Sequence, residues 1–270
     1  MLDVRPLSPT IGAEVFGIDL SVVPDDSTLS ELDKAFMDRK VLFFRDQAIT
    51  TDQHVEFCRA FGELEVHPFV PSKPGFPEAM VLTHNEKHRG TENFWHSDVT
   101  WRLEPSLGSM LRAVELPDVG GDTLFADMEA AFEALDPALQ ERVSSMTAIH
   151  DFSRVFGFGK SPEELAELRE KYPPAEHPVI RTHPVTGRKS IYVNVAFTSH
   201  IVGLDPDESA ALLRQLYRQA SVPEFQCRFR WQPDSLALWD NRCVQHYAVS
   251  DYWPARRVME RVTVVGDRPR

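Results

Sequence analysis

Cysteine is scarce in this chain: Cys58, Cys227 and Cys243 are the only three among 270 residues. An odd, widely spaced set excludes a disulfide framework and a thiolate zinc cluster. It predicts free thiols packed in a core, as in a reducing cytoplasm. Long apolar runs are also missing. No stretch approaches the ~18 residues that cross a bilayer. MLDVRPLSPT at the N-terminus has no apolar h-region, so neither a membrane span nor a signal peptide is expected. Positive charge is in deficit: 29 Lys and Arg stand against 41 Asp and Glu, a net charge of −12. That balance excludes nucleic-acid and anionic-membrane binders as a class, and leaves room for a local cationic pocket. There are no repeats, low-complexity tracts or Gly/Ser linkers. The expectation is one cytoplasmic domain, residues 1–270.

What is present is ordinary globular material, with 42% hydrophobic and 26% charged residues, enough for a sizeable core. The twenty prolines are dispersed, which suits many short elements joined by turns. Helical periodicity runs over 27–40, 51–61, 127–135, 161–171 and 207–220, with capping residues such as Asp25 and Thr51 at the starts. Between them lie strand-like runs, among them VLFFRD (41–46), AMVLTH (79–84), SMLRAVEL (109–116), TLFADM (123–128), SLALWD (235–240), CVQHYAV (243–249) and RRVMERVTVVGD (256–267). Many short strands separated by turn signals predict a mainly β sandwich or barrel with flanking helices.

Chemistry concentrates at two places. FWHSDVTW (94–101) carries His96 and Asp98 two apart. In a strand these share one face, about 6.5 Å apart along the axis, and both side chains can reach one ion. A surface strand with a chance polar pair is the ordinary alternative. The second place is WDNRCVQHYAVSDYWPARRVMER (239–261), which holds His246, Arg257 and Arg261. Two imidazoles and one carboxylate suit non-haem Fe(II), with positions left open for a co-substrate and O2. A 2-oxo acid chelating that metal needs a cation for its far carboxylate, and the planar fork of arginine matches one. On a strand Arg257 and Arg261 share a face about 13 Å apart, a spacing for two anions rather than one. An exposed basic strand edge is the alternative here.

Taken together, these stretches resemble the taurine dioxygenase family of Fe(II)- and 2-oxoglutarate-dependent oxygenases. The similarity runs nearly end to end, through PTIGAEVFGIDLS (9–21), FGELEVHP (61–68), WHSDVT (95–100), ELPDVGGDTLFADM (115–128), HPVIRTHPVTGRKSIYVN (177–194) and the C-terminal segments. The resemblance implies a double-stranded β-helix (jelly roll) core with outer helices. It implies His96, Asp98 and His246 as iron ligands, and Thr123 with Arg257 on the distal carboxylate of 2-oxoglutarate. It implies His67 and Arg261 on a sulfonate, Val99, Phe152 and Phe197 as apolar wall, and a homodimer or homotetramer. The implied reaction is O2-dependent hydroxylation of the carbon next to the sulfonate of taurine or a related alkanesulfonate. That releases sulfite and an aldehyde, with succinate and CO2. Two positions depart from the taurine pattern: Val70 stands where a Tyr is found, and Glu92 where an Asn is found. Both belong to the amine end. An alkyl sulfatase-type oxygenase that releases sulfate is the nearest alternative, and an enzyme of carboxylate substrates a further one. A zinc hydrolase and a silent anion-binding jelly roll are the alternatives from other classes. The segments 68–78 and 153–176 are candidate lids, the second containing Gly157, Gly159 and Pro162.

Overall fold

The computed structural model describes Leu2–Arg270. Its strands are β1 (Asp3–Pro6), β2 (Ala13–Phe16), β3 (Val41–Phe44), β4 (Ser72–Lys73), β5 (Phe76–His84), β6 (Gly108–Glu115), β7 (Thr123–Asp127) and β8 (Thr147–His150). They continue as β9 (Ala175–Pro178), β10 (Ile180–Thr182), β11 (Lys189–Ile191), β12 (Thr198–Ile201), β13 (Gln226–Phe229), β14 (Leu236–Asp240), β15 (Val244–Ala248) and β16 (Arg257–Val264). The α-helices are α1 (Asp26–Arg39), α2 (Thr51–Arg59), α3 (Met128–Glu133), α4 (Pro137–Val143), α5 (Ser153–Phe156), α6 (Pro162–Lys171) and α7 (Pro206–Tyr217).

An eight-stranded sheet runs β1-β2-β3-β14-β6-β16-β5-β4, and a three-stranded sheet runs β13-β7-β15. They face one another as the two sides of a jelly roll, the fold expected. The strands VLFF of β3 and LALWD of β14 are buried throughout because both faces of the large sheet are covered. Leu42, Phe44, Leu236, Leu238, Met110 and Val262 face outward and pack on Leu32 and Phe36 of α1 and Val55, Phe57 and Cys58 of α2. The alternate residues Val41, Phe43, Leu111, Ala237, Trp239 and Met259 face inward onto Phe125, Phe229 and Val244 of the small sheet. Helix ends follow from local chemistry. Asp25 caps α1, whose C-terminus closes on Lys40 at φ 64°, and Thr50 with Gln53 forms a capping box on α2.

β16 lies between β5 and β6 and is antiparallel to both. It is an interior strand, which removes the exposed-edge reading of its arginines. Arg257, Met259, Arg261 and Thr263 point between the sheets, and Val258, Glu260, Val262 and Val264 point outward. Glu260 is a buried acid on that outward face. Thr51 Oγ1 (2.8 Å), Lys73 Nζ (2.6 Å) and Arg112 Nη2 (2.7 Å) all donate to it. The Lys73 contact and the β4–β5 pairing make part of the 68–78 segment a hairpin on the edge of the large sheet. The segment 153–176 likewise contains α5 and α6. Arg169 Nη2 holds them to Asp151 Oδ2 (2.9 Å) and Ser153 Oγ (3.0 Å). All three cysteines are free and buried, as expected. Among the described residues no helix is long and apolar enough to cross a membrane.

Candidate active site

Backbone pairing brings the two histidines together. His96 and His246 form an antiparallel bridge, each amide donating to the other's carbonyl at 3.1 and 2.8 Å. FWHSDVTW is not the extended strand expected: His96 alone pairs, and the chain turns at Asp98. Asn241 supplies the reason, because its side chain replaces a strand partner. The Asp98 amide donates to Asn241 Oδ1 (2.6 Å), and Asn241 Nδ2 donates to the Asp98 carbonyl (2.9 Å). Val99 then adopts φ 46°, a left-handed conformation that costs a β-branched residue about 1–3 kcal/mol. The turn swings the carboxylate onto the imidazoles. His96 Nε2 lies 4.0 Å and His246 Nε2 3.9 Å from Asp98 Oδ1. One donor atom from each of the three residues falls within 4.8 Å of the others, and all three residues are buried.

The donors are in the protonation states that a metal requires. Burial pushes both imidazoles below their ordinary pKa, so they are neutral. Burial by itself would raise the Asp98 carboxyl. The Arg261 charge, helped by a hydrogen bond from the Ser109 hydroxyl (3.1 Å), overrides it and holds Asp98 well below the carboxylate range. His96 Nδ1 lies 2.9 Å from the Phe94 carbonyl. A carbonyl only accepts, so Nδ1 carries the proton and Nε2 keeps its lone pair toward Asp98. This donor set fits non-haem Fe(II).

At one end of the cavity stands Arg257. It is 4% exposed, and its Nε has no hydrogen-bond partner. Among the described residues no carboxylate lies within salt-bridge distance of its guanidinium, and burial lowers its pKa. A buried cation with no carboxylate in salt-bridge distance is costly, and an incoming anion would offset that cost. Gly121, at φ 74°, lets the backbone lie against the arginine: a Cβ there would sit 3.1 Å from Arg257 Cδ and Nε. Thr123, at the start of β7, lines the same cavity.

Arg261 is placed differently from a free substrate anchor. Its Nη1 donates to Asp98 Oδ1 at 2.6 Å, while Nε is left unpartnered. His67 also lines the cavity. It is held there because Leu64 bridges Val264 and the Glu65 amide donates to the Thr263 carbonyl (2.9 Å). Burial, followed by the Arg261 charge, pushes the His67 pKa down to about 3, so the ring is neutral. Its Nδ1 accepts from the amides of Phe69 (3.2 Å) and Val70 (3.1 Å). The proton therefore sits on Nε2, free to donate.

The cavity, of about 340 Å³, brings together every residue expected from the sequence except Phe152. Phe152 packs one layer behind the wall, stacked on Phe69 with ring centroids 5.4 Å apart. Phe156, one helical turn on, faces the cavity with Val155, Val99, Phe197 and Val70. The sequence reading missed Phe156. The i, i+4 spacing of the two phenylalanines was its only signal. His84 was also missed. Its Nε2 lies 3.4 Å from Glu92 Oε2, and its Nδ1 lies 2.8 Å from the Tyr252 hydroxyl. A second cluster, His183, Asp240 and Cys243, is already saturated. Arg242 grips Asp240 through Nε and Nη2 (2.8 and 2.7 Å), and His183 Nε2 closes on it at 3.0 Å.

An unpaired cation at the far end of a two-histidine, one-carboxylate triad is an arrangement for holding a 2-oxo acid against a metal. That class of jelly roll comprises the 2-oxoglutarate-dependent dioxygenases. The chain belongs to the family described as Taurine catabolism dioxygenase TauD, TfdA family, which it matches over residues 3–263. Enzymes of this class use Fe(II), 2-oxoglutarate (alpha-ketoglutarate) and O2. The chain is 37% identical to an alkylsulfatase of Acinetobacter baylyi, with 98% of this chain and 86% of that protein covered. It is 35% identical to an alpha-ketoglutarate-dependent sulfate ester dioxygenase of Pseudomonas putida, with 99% and 91% covered. A crystal structure of a taurine dioxygenase from Burkholderia xenovorans superposes with a TM-score of 0.86 at 37% identity, covering 99% of this chain and 90% of that one.

Proposed function

We propose that residues 1–270 act as one catalytic domain on an anionic organosulfur substrate with an apolar tail, foremost an alkyl sulfate ester. The reaction hydroxylates the carbon bearing the head group. R–CH2–OSO3⁻ becomes R–CH(OH)–OSO3⁻, which collapses to R–CHO and hydrogen sulfate. 2-Oxoglutarate and O2 supply the oxygen atom and leave as succinate and CO2. The carrying observation is the lining of the cavity. Val70, Val155, Phe156 and Phe197 make it apolar, and the Glu92 carboxylate that also lines it lies 3.4 Å from His84 Nε2. Burial would raise Glu92, but the His84 ring and the Thr91 amide (2.9 Å) override that and bring its pKa down to about 2. The ammonium of taurine would meet apolar side chains and an anion that has its partner. The alkylsulfatase and sulfate ester dioxygenase relatives support the same reading.

His96, Asp98 and His246 hold Fe(II), which with 2-oxoglutarate and O2 supplies the hydroxylating chemistry. Arg257 and Thr123 take the distal carboxylate. Arg261 contributes charge to the sulfate head and neutral His67 contributes an Nε2–H, so two hydrogen-bonding groups fix the head while one carries the cation. Because Arg261 also holds Asp98, head-group binding and the orientation of the carboxylate ligand are linked. Val99, Phe156 and Phe197, backed by Phe152, exclude water from the reacting carbon.

A simple alkanesulfonate is the second reading, since the same head contacts fit it. Its product is sulfite rather than sulfate. Turnover of butyl, hexyl and octyl sulfate, the matching sulfonates and taurine separates these readings. Each added methylene that the wall buries contributes about 0.8 kcal/mol, so KM should fall up to about fourfold per CH2. Taurine as the preferred substrate would overturn the proposal.

A further inference from the structure

Trp231 follows β13, whose register places Phe229 opposite Thr123 of β7. Two residues on, the indole folds over Thr123, and its Nε1–H donates to the Thr123 hydroxyl at 3.0 Å. Both residues are buried, and the Trp231 ring packs edge-on against Phe229, centroids 4.9 Å apart. An indole N–H can only donate, whereas a hydroxyl has one proton and two lone pairs. Trp231 occupies a lone pair, so the Thr123 proton is turned toward some other acceptor. Among the described residues the Thr123 hydroxyl makes no second hydrogen bond. Arg257, on the same cavity, has no acceptor atom. A ligand carboxylate in the cavity that Thr123 lines would supply that acceptor.

We infer that Trp231 is a positioning residue for the co-substrate: its N–H orients the Thr123 hydroxyl so that the proton points at the distal carboxylate of 2-oxoglutarate. This rests on the reading of Arg257 and Thr123 as the anchor of that carboxylate. The indole also polarises the hydroxyl, since hydrogen bonds in a buried chain strengthen one another. Without it the hydroxyl rotates freely and is free to use a lone pair toward Arg257 instead.

The test is equilibrium binding of 2-oxoglutarate to Mn(II)-loaded protein by calorimetry without O2, so that no turnover enters. Trp231→Phe keeps an aromatic ring and removes the N–H. It should weaken 2-oxoglutarate roughly threefold to tenfold, the scale of one net hydrogen bond, with Mn(II) affinity unchanged. In a Thr123→Val background the same substitution should change nothing, because no hydroxyl remains to orient. Equal losses in both backgrounds would reduce Trp231 to packing and overturn the inference. So would unchanged affinity for Trp231→Phe alone. If Thr123→Val itself leaves 2-oxoglutarate affinity intact, the anchor reading falls and takes this one with it. Should Trp231→Phe fail to fold, the indole N–H resonance of the native chain decides the matter. The resonance displaced by Thr123→Val must also shift when 2-oxoglutarate is added, and a resonance that stays put contradicts the role.

Discussion

Replacing Arg257 by methionine separates function from stability in opposite directions. The guanidinium is buried, carries an unpartnered Nε and has no carboxylate partner among the described residues. On the proposed anchoring, 2-oxoglutarate brings this cation a carboxylate in a dry site. Losing one side of a buried, hydrogen-bonded charge pair costs about 2–5 kcal/mol. At 1.4 kcal/mol per decade, the KM for 2-oxoglutarate should rise from about thirtyfold to several thousandfold. In the ligand-free protein the same arginine is a desolvated charge with only the Tyr252 ring and the more distant Glu92 and Asp122 carboxylates to offset it. An apolar side chain of similar length should stabilise that state by about 1 kcal/mol or more, raising Tm by a few degrees. Succinate formation against 2-oxoglutarate concentration gives the first quantity, and thermal unfolding of ligand-free protein the second. An unchanged KM would refute the anchor role. A loss of 3–5 kcal/mol on unfolding would show instead that Arg257 belongs to an internal ion pair.

Four further outcomes follow from the geometry. His96→Ala or Asp98→Ala should abolish tight Fe(II) binding and turnover together, and near-full activity in either would remove the ligand assignment. Arg261→Ala should raise the KM for the organosulfur substrate at least tenfold, the scale of one charge-assisted contact, with a smaller effect on 2-oxoglutarate; the reverse pattern would swap the two arginines. Glu260→Ala should destabilise by about 3 kcal/mol by stranding the mostly buried Arg112, measurable by urea unfolding, and a loss under 1 kcal/mol would show the network to be superficial. Burial depresses His54 and His67 to about 3 and His177 to about 4. The unfolded chain therefore binds more protons than the folded one below pH ~6.5, and stability falls as pH drops from there toward the folded values. A urea midpoint that stays flat from pH 7 to 5 would contradict this.

Much of the architecture was legible because β3 and β14 read as short continuous apolar runs and β16 sets its valines on the face opposite its arginines. The triad was legible through its residue types, although its geometry was not. Asp98 reaches the imidazoles through a turn supported by Asn241, a contact 143 residues away in sequence. No local pattern announces it. β1, β2, β4, β8, β9 and β12 were unseen: each is four residues or fewer, without the longer strand-like run that flags the equally short β3 and β13, and its pairing is set by tertiary context. The state of His67 was equally hidden. A protonated ring would suit an anion, yet burial and two backbone amides make it a neutral donor. The sequence departs from the taurine pattern at Glu92, but it does not show that the His84 ring lies 3.4 Å from that carboxylate. Phe152 shows the opposite error: a residue of the right type at the right position lies one layer too deep.

The most direct measurement is the stoichiometry of turnover with hexyl sulfate and Fe(II). O2 consumption, succinate and sulfate should rise together, one for one for one, and all three should stop when 2-oxoglutarate is withheld. Sulfate release that continues without O2 or 2-oxoglutarate would make the site hydrolytic and contradict the account.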